Sequence, residues 1–406
     1  MADPLKDKQI VLGVCGGIAA YKAVDFLRVL VKCGAHVRVI MTESAQAFVG
    51  PLTFEALSGN PVWTHMFGRS EDTPIRHIAW AEEADAVVIV PATANIIGKV
   101  AHGIADDPLA TFFLAVRAPI LICPSMNVRM YENRAVQDNI TRLERAGINV
   151  LSPETGSLAC GHEGAGRLPD VQVIAEQLRW LLCPQDLSGE RILITAGPTR
   201  EPIDPVRFIS NPSTGKMGYA LARTARRRGA QVLLISGPTE LPDPQGVRVI
   251  RVRTAEEMFH AVMEHVEQTT IVIKAAAVSD WRPASLFEHK VKKDAMAQHL
   301  PLKQTSDILK ALGENKKDQI LVGFAAETEN LRENACAKLA AKNLDLIVAN
   351  LVGQDDSGFG SDTNQVSLFY RDGGNEDLPL MDKGAVADIL FDRVLQIKRN
   401  RLMPDA

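Results

Sequence analysis

The sequence predicts an α/β protein of two doubly wound, Rossmann-like domains. Three observations carry this prediction. Short β-branched runs alternate with helix-period segments along most of the 406 residues, as buried parallel strands alternate with crossover helices. Aromatic residues make up only 5% of a chain rich in Ala, Val, Ile and Leu, a balance that favours α/β layers over an aromatic-rich sandwich. The alternation breaks once, at Cys183-Pro-Gln-Asp-Leu-Ser-Gly189, and then restarts. Pro, Ser and Gly end a helix there and let the chain turn. The domains are therefore expected at 1–189 and 190–406, in line with a prior of roughly 150 residues per domain.

In order, residues 9–14 read as a strand, 18–32 as an amphipathic helix and 35–41 as a second strand. Runs 86–90 and 119–123 have strand length and are wholly apolar; 133–146 is a helix, 149–152 a strand and 171–182 a helix. The second series has strands at 191–196, 231–236, 271–276, 320–325 and 346–349. Its helices are expected at 217–228, 255–267 and 330–342. Residues 286–301 are rich in Lys and His and poorly periodic, which suits a long loop or hairpin flap. The halves share a type but not a sequence, so the chain is not a tandem repeat.

Composition excludes several classes. Lys and Arg number 45 against 49 Asp and Glu, a net charge of −4, without the basic excess that phosphate-backbone binding needs, so no nucleic-acid partner is expected. The hydrophobic fraction of 46% and charged fraction of 23% exclude global disorder. The most apolar run, 86–98, is short and broken by Pro91, Thr93 and Asn95, so no membrane span is expected. The charged N-terminus leads straight into a strand, unlike a signal peptide. The six scattered cysteines contain no Cys-x-x-Cys pair and read as reduced thiols in the cytoplasm.

The first strand runs into Gly13-Val-Cys-Gly16-Gly17-Ile18. Glycines at a strand-to-helix turn let backbone N–H groups approach a phosphate. Equally, a tight turn needs glycine for its own sake. The spacing is not that of a dinucleotide fingerprint, and the second strand ends in Thr42 without a ribose-reading carboxylate. FMN therefore fits better than NAD. Pro91-Ala92-Thr93-Ala94-Asn95 closes a later strand, where ligands sit in open α/β sheets. Taken alone it reads as a bent loop with an Asn cap.

Further on, Pro124-Ser125-Met126-Asn127-Val128-Arg129-Met130-Tyr131 resembles the Pro-x-Met-Asn-x-x-Met-Trp signature of flavin-dependent cysteine decarboxylases. Tyr131 stands where many members carry Trp. His77 matches the position of that family's active-site histidine, although a lone His is more often structural. Cys160 lies in a glycine-rich polar segment, Gly156-Ser-Leu-Ala-Cys160-Gly-His-Glu-Gly164-Ala-Gly166, a setting expected of a reactive thiol under a lid. The other cysteines occupy apolar runs or helix ends and are expected to be inert.

In the second half, Thr195-Ala-Gly197-Pro-Thr199-Arg-Glu201 follows a strand, and Asn211-Pro-Ser-Thr214-Gly215-Lys216-Met217-Gly218 opens a helix. The latter looks like a phosphate loop. It is not a Walker A loop, because Met217 stands where Ser or Thr would hold Mg²⁺. Lys274, Asp280, Lys290, Asp307, Phe324, Lys338 and Lys342 follow in sequence. Each lysine alone reads as a solvated surface residue. Several near the carboxyl ends of strands suit a nucleoside triphosphate with Mg²⁺.

Together these motifs, in this order and over nearly the whole chain, resemble the bifunctional phosphopantothenoylcysteine decarboxylase/phosphopantothenate–cysteine ligases of coenzyme A biosynthesis. The resemblance implies two steps. The C-terminal half would activate 4′-phosphopantothenate with CTP, giving an acyl-cytidylate and pyrophosphate, and cysteine's amine would displace CMP. By position, Lys290 would stabilise charge in the activation, and Asn211 would help in the activation or the amide-forming step. Lys274, Ala275, Ala276, Asp280, Lys290, Ser306, Asp307, Ile308, Leu309, Phe324, Lys338 and Lys342 would hold CTP. Lys274 stands where members often have a small residue, and Ser306 where Pro is frequent.

The N-terminal half would decarboxylate the product to 4′-phosphopantetheine, with FMN as electron acceptor, because direct loss of CO2 would leave an unstabilised carbanion. His77 would act as base or electrostatic partner, Asn127 would bind the substrate carboxylate, and Cys160 would supply a proton. Gly16, Gly17, Ile18, Thr42, Thr93, Ala94 and Asn95 would hold FMN. Related domains imply a homo-oligomer with trimeric decarboxylase and dimeric ligase contacts. The rival readings are an NAD(P) oxidoreductase, which the missing fingerprint disfavours, and a flavoprotein decarboxylase fused to a non-catalytic nucleotide-binding module.

Overall fold

The computed structural model describes residues 3–66, 76–157, 163–291, 299–351 and 360–402. It divides into two compact units, Ala2–Cys183 and Pro184–Ala406. Pro184 to Gly189, expected to close the first domain, packs within the second. Leu187 is fully buried in the core of that unit and its N–H donates to the Arg228 carbonyl at 2.9 Å. Asp186 pairs with the Arg228 guanidinium at 2.6 Å.

The first unit runs β1 (Gln9–Val14), α1 (Ala20–Lys32), β2 (His36–Met41), α2 (Glu43–Gln46), α3 (Pro51–Ser58), α4 (Arg76–Glu83), β3 (Ala86–Ala92) and α5 (Ala94–His102). It continues through α6 (Pro108–Ala115), β4 (Ile120–Pro124), α7 (Val128–Tyr131), α8 (Arg134–Arg145), β5 (Asn149–Val150), β6 (Glu154–Ser157), β7 (Glu163–Arg167) and α9 (Val171–Leu182). Five strands form a parallel sheet in the order β2-β1-β3-β4-β5. Alternate residues of β1 feed opposite faces: Ile10, Leu12 and Val14 join the core under α1 and α9, while Val11 joins the core under α5, α6 and α8. Each fully buried aliphatic side chain contributes about 1.5–3 kcal/mol. The order 2-1-3-4-5 reverses direction between β1 and β3, and a crevice opens there at the carboxyl ends of the strands.

The second unit runs β8 (Arg191–Ala196), β9 (Arg200–Pro202), β10 (Phe208–Ser210), α10 (Lys216–Arg227), β11 (Gln231–Ser236), β12 (Arg248–Arg251), α11 (Ala255–His265), a 3-10 turn (Val266–Gln268), β13 (Ile271–Lys274), β14 (Trp281–Pro283) and β15 (Leu302–Gln304). It then passes through α12 (Ile308–Glu314), β16 (Ile320–Glu327), α13 (Leu331–Ala341), β17 (Leu346–Leu351), β18 (Thr363–Asn364), β19 (Ser367–Tyr370), β20 (Asn375–Asp377), β21 (Met381–Asp382) and α14 (Lys383–Leu402). The main sheet has the order β12-β11-β8-β13-β16-β17-β19-β20, parallel up to β17 and antiparallel beyond it. Its six parallel strands follow the 3-2-1-4-5-6 order of a Rossmann sheet, with the reversal between β8 and β13. Helices α10 and α14 cover one face; α11, α12 and α13 cover the other.

Both units are thus doubly wound, as the alternation predicts. The strand expected to reach residue 276 ends at Lys274. Beyond it the chain leaves the sheet and is held by β8 and its loop: Ala276 N–H donates to Thr195 Oγ1 at 3.2 Å, Ala277 N–H to the Gly197 carbonyl at 2.9 Å, and Ser279 N–H to Thr199 Oγ1 at 3.0 Å. The expected flap is flanked by an antiparallel pair, with Trp281 opposite Gln304 in β14 and β15. Residues 292–298 lie outside the described residues.

Candidate ligand sites at the two switch points

The first site sits where β1 and β3 diverge. The β1–α1 turn and the β3–α5 turn face each other. Gly16, Gly17, Ile18, Tyr21 and Lys22 from the former, with Thr93 and Ala94 from the latter, border a cavity of about 490 Å³. Ser125, Met126, Asn127 and Met130 after β4, with Gly166, Arg167 and Leu168 from the end of β7 onward, complete the wall.

Backbone hydrogen bonds tie these segments together. Ser125 N–H donates to the Ala92 carbonyl at 2.9 Å, and Met126 N–H to the Gly166 carbonyl at 3.0 Å. Gly166 has φ +142, and a Cβ there would lie 2.2 Å from the Met126 carbonyl oxygen. Only glycine lets β7 approach this closely. Asn127 begins α7, and its Oδ1 accepts from the Arg129 N–H at 2.9 Å. Thr93 caps α5 through the Ile96 N–H.

Of the residues expected to hold FMN, Gly16, Gly17, Ile18, Thr93 and Ala94 line this cavity. Thr42 and Asn95 are not on its wall; Asn95 is exposed on α5. A Cβ on Gly16 would meet Ser44 Cβ at 2.4 Å, so the end of β2 packs against the turn. Thr42 Oγ1 is buried with no hydrogen-bond partner among the described residues. The mixture suits a flavin. Backbone donors and an unpaired hydroxyl lie at or beside the turn, and apolar Ile18, Ala19, Met126, Met130 and Leu168 can flank a flat ring.

His77 lies on α4, away from this cavity wall. Its helix is braced by the edge-to-face pair Trp63–Trp80 and by Arg76 lying over both rings. Cys160 lies outside the described residues. The strands that flank it, β6 and β7, pair with Ser157 opposite Glu163, and the last residues of β7 border the cavity. Among the other thiols, burial pushes Cys15 up to about 12 and also raises Cys123. Neither is a thiolate at neutral pH.

The second site lies between β8 and β13. It is a cavity of about 570 Å³ that gathers residues far apart in sequence. Asn211, Lys274, Ala275, Ala276, Asp280, Leu309, Phe324, Lys338 and Lys342 all line it, as expected. Asn211 Nδ2 donates to the carbonyls of Ala277 and Val278 at 3.1 and 3.2 Å, which fixes the chain after β13.

The charges are arranged around Lys274. Burial, and then Lys342, pull its ammonium down to about 8, against the attraction of Asp307 and Asp280. Burial works against the Asp307 carboxylate, but the Lys310 N–H and the Lys342 ammonium hold it below its ordinary value. Lys342 Nζ lies 3.0 Å from Asp307, and Lys338 pairs with Glu327.

Other expected residues stand elsewhere. Ile308 is 2% exposed in the apolar core under α12. Ser306 and Asp307 are not on the cavity wall, although Asp307 acts on two of its lysines, pairing with Lys342 and attracting Lys274. Lys290 is exposed and off the wall. The neighbouring Val291 is anchored to the β9–β10 turn, where its N–H donates to Asp204 Oδ2 at 3.3 Å. The cavity also contains residues that sequence reasoning did not assign to it: Lys216, Asn350, Asn364 and Lys383. Lys216 had a signal in its phosphate-loop setting, but Lys383, at the start of α14, lies in no motif. Among the described residues, no three His, Cys, Asp or Glu side chains stand together as a metal site. No helix among them is long and apolar enough to cross a membrane.

Fold and cavities define a two-unit α/β protein with a candidate ligand cavity at each switch point. Residues 2–182 match the family described as Flavoprotein, and residues 187–397 match the DNA/pantothenate metabolism flavoprotein C-terminal domain. The chain is 50% identical over 397 residues to the coenzyme A biosynthesis bifunctional protein CoaBC of Bacillus subtilis (strain 168), covering 97% of each. It is 45% identical over 396 residues to the protein of that name from Escherichia coli (strain K12), covering 96% of this chain and 97% of the relative. A solved structure of a CoaBC C-terminal domain is 45% identical, covers 53% of this chain and all of its own, and superposes with a TM-score of 0.46. The chain belongs to the family of bifunctional coenzyme A biosynthesis proteins, with a flavoprotein unit and a ligase-type unit.

The Gly16 turn yields a test. Gly16→Ala forces a Cβ against the Ser44 backbone at 2.6–2.7 Å, and overpacking of that kind costs about 1–3 kcal/mol. Flavin affinity, followed by visible absorbance after desalting, is expected to fall about tenfold while far-ultraviolet circular dichroism is unchanged. Full flavin retention would contradict the reading of this turn as the flavin's cradle.

Proposed function

We propose that the chain converts 4′-phosphopantothenate to 4′-phosphopantetheine in two steps on two units. The second unit joins the substrate to cysteine at the expense of CTP with Mg²⁺, and the first, with FMN, decarboxylates the product. The observation that carries this reading is the convergence of Asn211, Lys274, Lys338 and Lys342 on one cavity at the β8/β13 switch point, in a chain whose other switch point carries a flavin-type cradle.

In the ligation, CTP's α-phosphate is attacked by the substrate carboxylate and pyrophosphate leaves. Cysteine's amine then attacks the acyl carbon and CMP leaves. Lys274, Lys338 and Lys342 offset the charge of the phosphates. Phe324 offers the base an apolar face. Asn211 acts in the activation or amide-forming step by holding the chain after β13 in place through its Nδ2, and Lys290 brings a further cation from the flap.

In the decarboxylation, Gly16, Gly17, Ile18, Thr93 and Ala94 would hold FMN, which would supply the two-electron acceptor that makes loss of CO2 feasible. Asn127 binds the substrate carboxylate. Cys160, on the segment between β6 and β7, gives the final proton to carbon. His77 takes part as base or electrostatic partner, and its place off its own cavity wall fits delivery to the cavity of another copy. Ile18 and Tyr21, 64% and 57% exposed at the cavity mouth, support such a homo-oligomer. Cys15, Cys33, Cys123, Cys183 and Cys336 stand outside any disulfide among the described residues, which fits a cytoplasmic protein.

Two variants separate the halves. Lys290→Gln is expected to abolish acyl-cytidylate formation and spare decarboxylation of supplied phosphopantothenoylcysteine. Cys160→Ala should do the reverse: ligation continues and the decarboxylation stalls with the flavin bleached. Normal turnover in both variants would overturn these roles, and loss of both activities in either would indicate misfolding.

Lys274 supplies a pH test. Its ammonium, held to about 8 by burial and by Lys342, loses its charge as pH rises through that value. A hydrogen bond to a charged group contributes about 1.5–3 kcal/mol. Binding of CTP, measured by calorimetry, should therefore weaken by about tenfold or more as pH rises through 8. In Lys274→Arg, which stays charged, the loss should vanish. Identical pH profiles would remove Lys274 from the nucleotide site.

A further inference from the structure

The second cavity carries a second group of cations. Lys274, Lys338 and Lys342 come from the end of β13 and from α13. Lys216 comes from the first turn of α10, and Lys383 opens α14. Different charges act on the two groups. Lys274 feels Lys342, Lys338, Asp307 and Asp280, whereas Lys383 feels Lys216, Asp362 and Asp382.

Lys383 is only 6% exposed. Its ammonium donates to the Ser361 carbonyl. Burial, and then the like charge of Lys216, hold it below its ordinary value, against Asp362 and Asp382. Lys216 donates to the Gly360 carbonyl at 2.9 Å and pairs with Asp362 at 2.7 Å, but that carboxylate is 82% exposed and well solvated. Two neighbouring cations, one of them buried, carry a desolvation and repulsion cost that an incoming anion would relieve.

Asn364 adds an independent observation. It lines the same cavity, is 5% exposed, and its Oδ1 has no hydrogen-bond partner among the described residues. Leaving a buried acceptor unpaired is unfavourable. A phosphate oxygen cannot serve it, because both atoms are acceptors. A donor must come between them. Water bound to Mg²⁺ is such a donor, since this ion keeps much of its hydration shell when it binds phosphates. The free N–H groups at the start of the 12-residue α10 face the same cavity beside Ser213 and Gly215.

We propose that Lys216, Lys383 and Asn364 form the subsite for the metal-bearing phosphates of the nucleoside triphosphate, the two lysines binding phosphate oxygens and the Asn364 carbonyl accepting from water on the cation. The assignment rests on the nucleotide reading given above and extends it to residues outside the expected set. It makes Lys383 and Asn364 specificity determinants for a triphosphate over a monophosphate.

Calorimetry on the full-length protein tests this with CTP, CMP and 4′-phosphopantothenate as probes, with Mg²⁺ and with chelator. Lys383→Met keeps the length of the side chain and removes its charge. It is expected to weaken CTP binding in Mg²⁺ at least about tenfold, leaving CMP and 4′-phosphopantothenate binding unchanged. Retained CMP binding reports an intact fold, and Lys383→Arg should recover much of the loss. Asn364→Leu should weaken CTP binding in Mg²⁺ but not in chelator. Equal affinity of the wild-type chain for CTP and CMP would overturn the subsite and leave the nucleotide reading standing. So would loss confined to 4′-phosphopantothenate. A wild-type chain that binds neither CTP nor CMP would overturn the nucleotide reading itself.

Discussion

The reversal of strand order at β1/β3 and again at β8/β13 is the constraint on which the rest of the molecule depends. Neighbouring parallel strands there send their chains to opposite faces of the sheet, and a crevice must open at their carboxyl ends. In the first unit the crevice is floored by glycine turns, which bring backbone donors close to a ligand. In the second it is walled by the displaced chain after Lys274, fixed by Thr195, Thr199, Gly197 and Asn211. The sheets supply rigidity; the turns supply chemistry.

Electrostatics distinguish the two crevices. The first is mainly apolar around a few donors, as a flat ring with a phosphate tail requires. The second holds five lysines, with Asp307 and Glu327 paired to two of them from outside the wall. Burial holds the ammonium groups of Lys274 and Lys383 below their ordinary values. A site of that kind is suited to a polyanion.

The strands and crossover helices were legible in the sequence because buried parallel strands are continuous apolar runs. Residues 9–14, 191–196 and 231–236 match β1, β8 and β11 to the residue. The short strands β18 to β21 were not legible, since two to four residues carry no period. Within the candidate sites, motif residues on turns were legible when the turn itself faces the crevice, as with Gly16, Thr93 and Asn211. Motif neighbours differ where a helix begins: Ile308 and Leu309 both join the apolar core, and of the two Leu309 also borders the cavity. Lys383 was invisible because its place depends on α14 packing against α10, a tertiary contact with no local signature. Cys160 and residues 292–298 of the flap lie outside the described residues.

The most direct test of the account follows one carbon. The purified chain, supplied with 4′-phosphopantothenate, CTP, Mg²⁺ and cysteine labelled at its carboxyl carbon, should release labelled CO2 in equal amount to CMP, and none when CTP is withheld. CMP release with the label retained in phosphopantothenoylcysteine would contradict the claim that one chain performs both steps.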